Sequence, residues 1–292
     1  MISRASTLTG LAAAALLAAS SAGARGAELA PGTQAKVIVR GYDGDVMEPF
    51  LTRDGKVLLF NNSNARPERT NLHAARAVSS TLFAYAGPLD AINSGALDAV
   101  ASTDDTGKLY FVSTADYLET RSTLFAANLT GAKAAMRQPV HGLARGLGWL
   151  HFDAEISADG TELYVAEGRF TGKPVPDSAD LVLARRTGDG FAFDRSDPVF
   201  DAVNTDALEY APCVSRDGLT LYFTRLEKGA AAPQIHVARR NSRDAAYEAS
   251  GPLPLDGFVE AAALSPDEKH IYFHRKTPDG YRLFVYAVEE KP

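Results

Sequence analysis

The sequence predicts an all-β fold, a five-bladed β-propeller closed by an N-terminal strand. Five segments of the chain repeat one strand–turn–strand pattern, and no long amphipathic helix follows the first 24 residues. The fifth repeat ends one strand early, whereas an extra strand precedes the first repeat. Repeats of about 50 residues with four short strands each are typical of propeller blades.

The first 24 residues predict a signal peptide. Arg4 supplies a positive charge, residues 11–19 form an unbroken apolar run, and Ala22-Gly23-Ala24 fits a cleavage site. The apolar run is about half of the roughly 20 residues that a membrane-spanning helix needs, and no later segment reaches that length. We therefore expect a periplasmic or secreted protein with no transmembrane segment.

Each repeat places a tight turn between two short apolar strands. The repeats occupy residues 48–62, 98–113, 153–167, 211–225 and 261–275. Their turn aspartates are about 50 to 58 residues apart, namely Asp54, Asp105, Asp159, Asp217 and Asp267. Asp bonds to the nearby backbone and Gly tolerates positive φ, so Asp-Gly pairs suit such turns. We interpret these aspartates as structural rather than catalytic.

The repeats define one propeller domain over residues 25–292. Its blades are predicted at about 46–90, 97–141, 151–200, 208–254 and 259–292. The fifth unit stops after its third strand, and residues 35–41 precede the first unit as an additional strand. We predict that 35–41 completes the last blade, because this pairing joins the ends of the chain and removes an exposed sheet edge.

The repeat resembles a known family. Its S-x-D-G-x-x-L-Y-F pattern, seen over residues 157–164 and 215–223, is similar to the WD-like propeller repeat of Tol-type periplasmic proteins. The resemblance covers nearly the whole mature chain, but with five repeats and without an N-terminal α/β domain. It implies an exported propeller, and such relatives include an envelope component, propeller domains of peptidases and an oligogalacturonide lyase.

An acidic residue precedes each repeat's turn by six to eight positions, at the start of the first strand. The five are Glu48, Asp98, Asp153, Glu209 and Glu260. Hairpin pairing places polar residues opposite them, including Asn61, Arg225 and Arg275. First strands line a propeller's channel, so these eight residues form a predicted ligand-binding rim at one mouth. The alternative is structural, with the acids capping turns or pairing with arginines, as Glu260 with Arg275.

The predicted function is a non-catalytic binding or scaffold module for an envelope protein or small ligand. The alternative is a carbohydrate-active hydrolase or lyase that acts on a glycan with carboxylates from several blades, for which Glu48, Asp153 and Glu209 are the catalytic candidates. Trp149, Phe152 and Tyr210 also lie near first-strand starts, where packing between blades is the simpler role.

Charge and composition bound the partners. The net charge of -6 leaves no basic excess for phosphates, so no nucleic acid is expected. No cofactor is expected either, because the histidines lack paired metal-ligand spacing; a divalent cation in the acidic channel is the alternative. The single cysteine, Cys213, excludes an intramolecular disulfide and is predicted to be a buried, inert thiol. We expect a monomer.

Overall fold

The computed structural model describes residues 29–64 and 69–288, apart from the side chain of Ser250. The segment predicted to be the signal peptide, residues 1–24, lies outside this range. The described chain is almost entirely β-structure, which confirms the all-β prediction. Its helices are one turn of α-helix, α1 (Tyr117–Thr120), and one 3₁₀ turn, Pro198–Phe200. No helix in the described ranges is long and apolar enough to cross a membrane.

Most strands belong to five antiparallel groups that follow one another along the chain. The first two groups are β3 (Met47–Leu51), β4 (Val57–Asn61), β5 (Leu72–Ser79) and β6 (Leu82–Pro88), then β7 (Asp98–Thr103), β8 (Lys108–Ser113), β9 (Leu124–Thr130) and β10 (Lys133–Pro139). The next two are β11 (Trp149–Ile156), β12 (Glu162–Arg169), β13 (Ser178–Thr187) and β14 (Gly190–Phe193), then β15 (Leu208–Val214), β16 (Thr220–Leu226), β17 (Gln234–Arg239) and β18 (Glu248–Pro252). The fifth is β19 (Val259–Leu264), β20 (His270–Thr277) and β21 (Gly280–Ala287).

The N-terminal segment is shared between the last and the first group. Strand β1 (Gln34–Lys36) pairs antiparallel with β21 and becomes the fourth strand of the last sheet. Strand β2 (Ile38–Arg40) instead runs parallel to β6 at the outer edge of the first sheet. The segment expected to complete the last blade therefore splits at residue 37, because Val37 and Val39 are buried in the apolar core between the two sheets.

The turn between the first two strands is held by the same hydrogen bonds in most groups. In the third group the Ser157 hydroxyl donates to Asp159 Oδ1 at 2.7 Å, and that oxygen also accepts from the backbone N–H of Thr161 at 3.0 Å. Gly160 has a φ of +72°, a conformation in which a residue with a side chain would be strained. Asp54, Asp217 and Asp267 make the equivalent bonds. In the second group it is Asp104, and not Asp105, that accepts, from the N–H and the hydroxyl of Thr106. The aspartates thus stabilise turns.

The apolar core consists of five clusters, each between two consecutive groups. One cluster joins the last group to the first through residues such as Tyr272 and Val285 on one side and Leu58 and Phe60 on the other. The first strands contact one another in the order β3, β7, β11, β15 and β19, and β19 contacts β3. Each sheet is therefore packed against the sheets before and after it.

Candidate functional site

A narrow channel runs between the five first strands. It is lined by residues such as Glu48, Asp153, Glu155, Ala211 and Ala261, and its volume is about 20 Å³. That space holds about one water molecule. A sugar-sized ligand therefore has to bind at a mouth of the channel rather than inside it.

Arg53 spans the channel at the end where the aspartate turns lie. Its Nε donates to the carbonyl of Thr103 at 3.0 Å, and its Nη2 donates to the carbonyl of Ile156 at 2.6 Å. It also pairs with the buried Glu155 at 3.1 Å. Burial raises the pKa of Glu155, and Arg53 counteracts this rise. One arginine thus links the first three groups and obstructs the turn end, which leaves the opposite mouth as the place for a ligand.

Four of the first strands bulge at the same point, next to that opposite mouth. Glu48, Val100, Ala211 and Ala261 all have φ between 46° and 58°, and strand register shifts beside each of them. A bulge redirects the side chain at that position. Because apolar residues share this conformation, the bulge belongs to the fold rather than to Glu48 alone, but in the first group it carries a carboxylate.

Three carboxyl groups meet at this mouth, and we call Glu48, Asp153 and Glu260 the acidic cluster. They come from β3, β11 and β19, three different groups of strands. None of the three forms an ion pair with a lysine or arginine of the described chain. Glu48 is 7% exposed and Asp153 is 4% exposed, and Asp153 Oδ1 has no hydrogen-bond partner among the described residues.

His274 and Tyr210 organise the acidic cluster. The backbone N–H of Glu48 donates to His274 Nδ1 at 3.2 Å, and His274 Nε2 lies 3.0 Å from Glu260 Oε2. Because Nδ1 accepts a hydrogen bond, the ring proton resides on Nε2 and is donated to Glu260. The hydroxyl of Tyr210 donates to the other oxygen of Glu260. Asn64 Nδ2 donates to Glu48 Oε1 at 2.9 Å.

The environment raises the pKa values of Asp153, Glu48 and His274. Burial raises the pKa of Asp153 well above its ordinary value, and the nearby charges of Glu48 and Glu260 raise it further. Burial also raises the pKa of Glu48, with His274 opposing and Glu260 adding to the rise. Burial lowers the pKa of His274, but the hydrogen bond to Glu260 and the charge of Glu48 outweigh this effect and raise it overall. The cluster therefore holds protons that isolated carboxyl groups would lose.

Two other predicted rim residues, Asp98 and Glu209, lie in closed ion pairs. Asp98 is fully buried and pairs with Arg137 at 2.8 Å, while Glu209 is fully buried and pairs with Arg225 at 2.7 Å. Both acids also accept from a hydroxyl four residues earlier, that of Ser94 or Thr205. The structure places Asp98, Glu209 and Arg225 in these pairs and not in the acidic cluster.

A repeated motif that the sequence analysis missed explains these pairs. Residues 92–98 read INSGALD and residues 203–209 read VNTDALE. In both, the asparagine side chain bonds to the N–H and the carbonyl of a third-strand residue, Leu72 or Leu181. The hydroxyl residue then bonds to the acid. This matching spacing was the available signal that the two acids are structural.

The remaining rim residues have different partners from those predicted. Asn61 is fully buried and donates to Asn64 Oδ1 at 2.7 Å, so it supports Glu48 indirectly through Asn64. The predicted pairing of Arg275 with Glu260 is wrong, because Arg275 lies opposite Val259 and donates to Gln34 Oε1. The bulge in β19 shifts the pairing register between β19 and β20 by one residue, so His274 lies opposite Glu260 instead. His274 was considered only as a metal ligand, so its role was missed.

Neither a metal-binding group of side chains nor a reactive thiol is found among the described residues. The described ranges contain no group of three His, Cys, Asp or Glu residues that could hold a metal ion. Cys213 is buried, and burial raises the pKa of its thiol well above the ordinary value. A protonated thiol is a poor nucleophile.

The comparisons with known proteins give a fold. No protein-family model matches the sequence, and no curated protein matches it. A solved structure described as a glycoside hydrolase aligns with a TM-score of 0.61 and 10% identity, over 88% of this chain and 91% of that chain. An endo-arabinase from Bacteroides thetaiotaomicron aligns with a TM-score of 0.57 and 11% identity, over 88% and 98% of the two chains. At such identities the likeness establishes a β-propeller fold.

Two predictions change in the light of these matches. TolB from Acinetobacter baumannii aligns with a TM-score of 0.42 and 15% identity, over 84% of this chain and 50% of that chain. The solved structures with higher TM-scores support the Tol-type resemblance only as far as the β-propeller fold. The prediction of a non-catalytic binding or scaffold module is wrong, because the structures that share the fold are mainly glycoside hydrolases. The matches favour the carbohydrate-active alternative.

Proposed function

We propose that this protein is a glycoside hydrolase whose active site is the acidic cluster. The observation that carries the proposal is the convergence of Glu48, Asp153 and Glu260 from three strand groups, without an arginine or lysine partner. Glycoside hydrolysis needs two carboxyl groups in different protonation states on either side of the scissile bond. The solved structures with this fold that are described as glycoside hydrolases add support.

The environments of the three carboxyl groups suggest their roles. Asp153 has the strongly raised pKa and an oxygen without a partner, so it is suited to be the general acid that protonates the leaving oxygen. Glu260 accepts hydrogen bonds from Tyr210 and His274, which fix both of its oxygens in position for the base or nucleophile. The charge of Glu48 helps to keep the proton on Asp153.

The proposal includes the finer architecture and the location. We infer a five-bladed ring in which β1 completes the last blade, supported by the five clusters between consecutive groups and by the contact of β19 with β3. A monomer, residues 25–292, would act on a glycan in the periplasm or outside the cell. This location follows the signal-peptide pattern of residues 1–24.

Turnover of glycans by matched variants tests the function. The mature protein is incubated with a panel of neutral and anionic polysaccharides, and new reducing ends are measured for wild type, Asp153→Asn and Glu260→Gln. General acid–base groups contribute about 10²- to 10⁴-fold, so each variant should lose at least about 100-fold in kcat while its thermal unfolding remains cooperative. Glu227→Gln, at an exposed residue next to Arg225, is the control and should retain wild-type activity. Cleavage at equal rates by all four proteins, or by none, would overturn the proposal.

A further inference from the structure

An excess of positive charge lies on the same face as the acidic cluster, near the start of β11. Glu167 is 4% exposed and accepts from Arg195 Nη1 and Nη2 at 2.9 and 2.8 Å. It also pairs with Arg145. Arg169 follows on the same strand as Glu167 and forms no ion pair within the described part of the chain. We call Arg145, Arg169 and Arg195 the arginine patch; two of its members share a single carboxylate.

The nearby titratable groups leave this positive charge incompletely balanced. Burial lowers the pKa of His151, and with the charges of Arg195 and Arg145 it reaches about 3, so His151 is neutral and bonds to Glu167 at 3.2 Å. Burial lowers the pKa of Arg145, and repulsion from Arg195 and Arg169 lowers it further. Asp180 offers only partial compensation, because burial and the charge of Glu209 raise its pKa.

The patch is held rigidly. The guanidinium of Arg145 lies 3.4 Å from the ring centroid of Trp149, a cation–π contact. The Tyr117 hydroxyl donates to the carbonyl of Trp149 at 3.0 Å and accepts from the N–H of Gly148 at 2.8 Å. Gly148 has a φ of +82°, and a Cβ there would approach Arg169 Nη1 to 2.9 Å. Donors fixed in this way lose little entropy when a ligand binds.

The patch and the acidic cluster are connected through one strand. Trp149 and Asp153 are four residues apart on β11, which corresponds to about 13 Å along a strand. Between them, the ring of Phe152 lies 6.1 Å from that of Tyr210, whose hydroxyl binds Glu260. Arg145 and Arg195 have side chains 29% and 45% exposed, so solvent reaches both. A chain of sugars at the acidic cluster would extend over this patch.

We propose that the arginine patch binds a negatively charged sugar unit, carrying a carboxylate or a sulfate, of an oligosaccharide that lies across the acidic cluster. This inference rests on the proposed function and specifies its substrate class. Guanidinium groups match planar carboxylates and sulfate oxygens with paired N–H donors, and charge-assisted hydrogen bonds of this kind are stronger than neutral ones.

Calorimetric binding tests the patch separately from catalysis. The Asp153→Asn variant is used because the substitution prevents turnover. It is titrated with tetragalacturonate, with the uncharged methyl ester of tetragalacturonate, and with a sulfated galactan tetrasaccharide. We expect one of the charged probes to bind with an affinity that decreases as NaCl is added, and the ester to bind at least about 10-fold more weakly. The charged probe that binds with the higher affinity identifies whether the recognised group is a carboxylate or a sulfate.

Arginine variants locate the site. Arg145→Gln and Arg169→Gln, each combined with Asp153→Asn, should lower the affinity for the charged probe about 10- to 100-fold. Arg76→Gln removes the same charge from an exposed residue of β5 and should leave binding unchanged. Equal binding of ester and acid, no binding of either charged probe, or an equal loss in Arg76→Gln would overturn the inference.

The outcomes separate the two proposals. Salt-sensitive binding of a charged probe without cleavage of any glycan by wild type would support the patch and refute the hydrolase. Cleavage restricted to neutral glycans, with no binding of the charged probes, would support the hydrolase and refute the patch.

Discussion

Breaking the ion pair between Glu209 and Arg225 should strongly destabilise the fold, because it leaves one buried charge uncompensated. Glu209 is fully buried and accepts from Arg225 Nε at 2.7 Å, from the Thr205 hydroxyl at 2.7 Å and from the Thr205 N–H at 3.2 Å. Arg225 also donates to the carbonyl of Val203 at 2.7 Å, so its position is fixed from two sides. Glu209→Gln keeps the shape but removes the charge, so a guanidinium with 11% exposure loses its close carboxylate partner.

The expected loss follows from that burial. Removing one partner of a buried ion pair costs about 3 to 5 kcal/mol, and we expect about 3 kcal/mol here because the glutamine can still bond to Thr205. For a protein of this size, that loss lowers Tm by about 6 to 12 °C. Glu227 lies 3.9 Å from the same arginine but is 62% exposed, so Glu227→Gln should change the free energy of unfolding by less than about 0.5 kcal/mol.

Urea and thermal unfolding, followed by circular dichroism, measure the difference. The double variant Glu209→Gln/Arg225→Met removes both charges and should recover part of the loss. At temperatures below its own transition, Glu209→Gln should retain the turnover of wild type, because Glu209 lies in a closed pair and not in the acidic cluster. If Glu209→Gln unfolds like Glu227→Gln, the pair does not stabilise the fold, and the reasoning that excludes Glu209 from the active site fails.

Two further predictions concern groups along the channel. Since the folded pKa of Asp153 is raised, the folded state holds its proton more tightly than the unfolded chain, and the contribution of Asp153 to stability falls as pH rises above its unfolded pKa of about 3.9. Asp153→Asn should therefore gain stability relative to wild type as the pH rises above about 4 in urea titrations, and a stability difference that does not change with pH would contradict this. Arg53→Met leaves the buried Glu155 without its arginine partner and should lower the free energy of unfolding in urea by at least about 3 kcal/mol. Arg76→Met, at an exposed site, should lower it by less than about 0.5 kcal/mol. Equal stabilities of the two variants would show that Arg53 is not needed to close the channel.

The order and type of the strands could be predicted from the sequence because their causes are local. Alternating apolar residues, and turns such as Ser157 to Gly160, depend on residues close together in the chain, and they recur at matching offsets in most of the repeats. The local pattern could not predict that the N-terminal segment divides, with β1 pairing with β21 and β2 pairing with β6. This division depends on two sheets that are far apart in sequence and compete for the same few residues.

The candidate site was partly predictable. Glu48, Asp153 and Glu260 were all expected at one channel mouth, since a repeat places equivalent residues at equivalent points. The sequence could not distinguish them from Asp98 and Glu209, because that distinction depends on where Arg137 and Arg225 point in three dimensions.

By itself, the sequence determined that the chain is built from repeated β-units with an acidic residue at the start of each first strand. Only the tertiary structure decided which of those acids pair with an arginine and which do not. A bulge in β19 shifts the register by one residue and places His274, not Arg275, beside Glu260. Burial then raises the pKa values of Glu48 and Asp153, and the electrostatic properties of a carboxyl group depend on such surroundings and not on its position in the sequence.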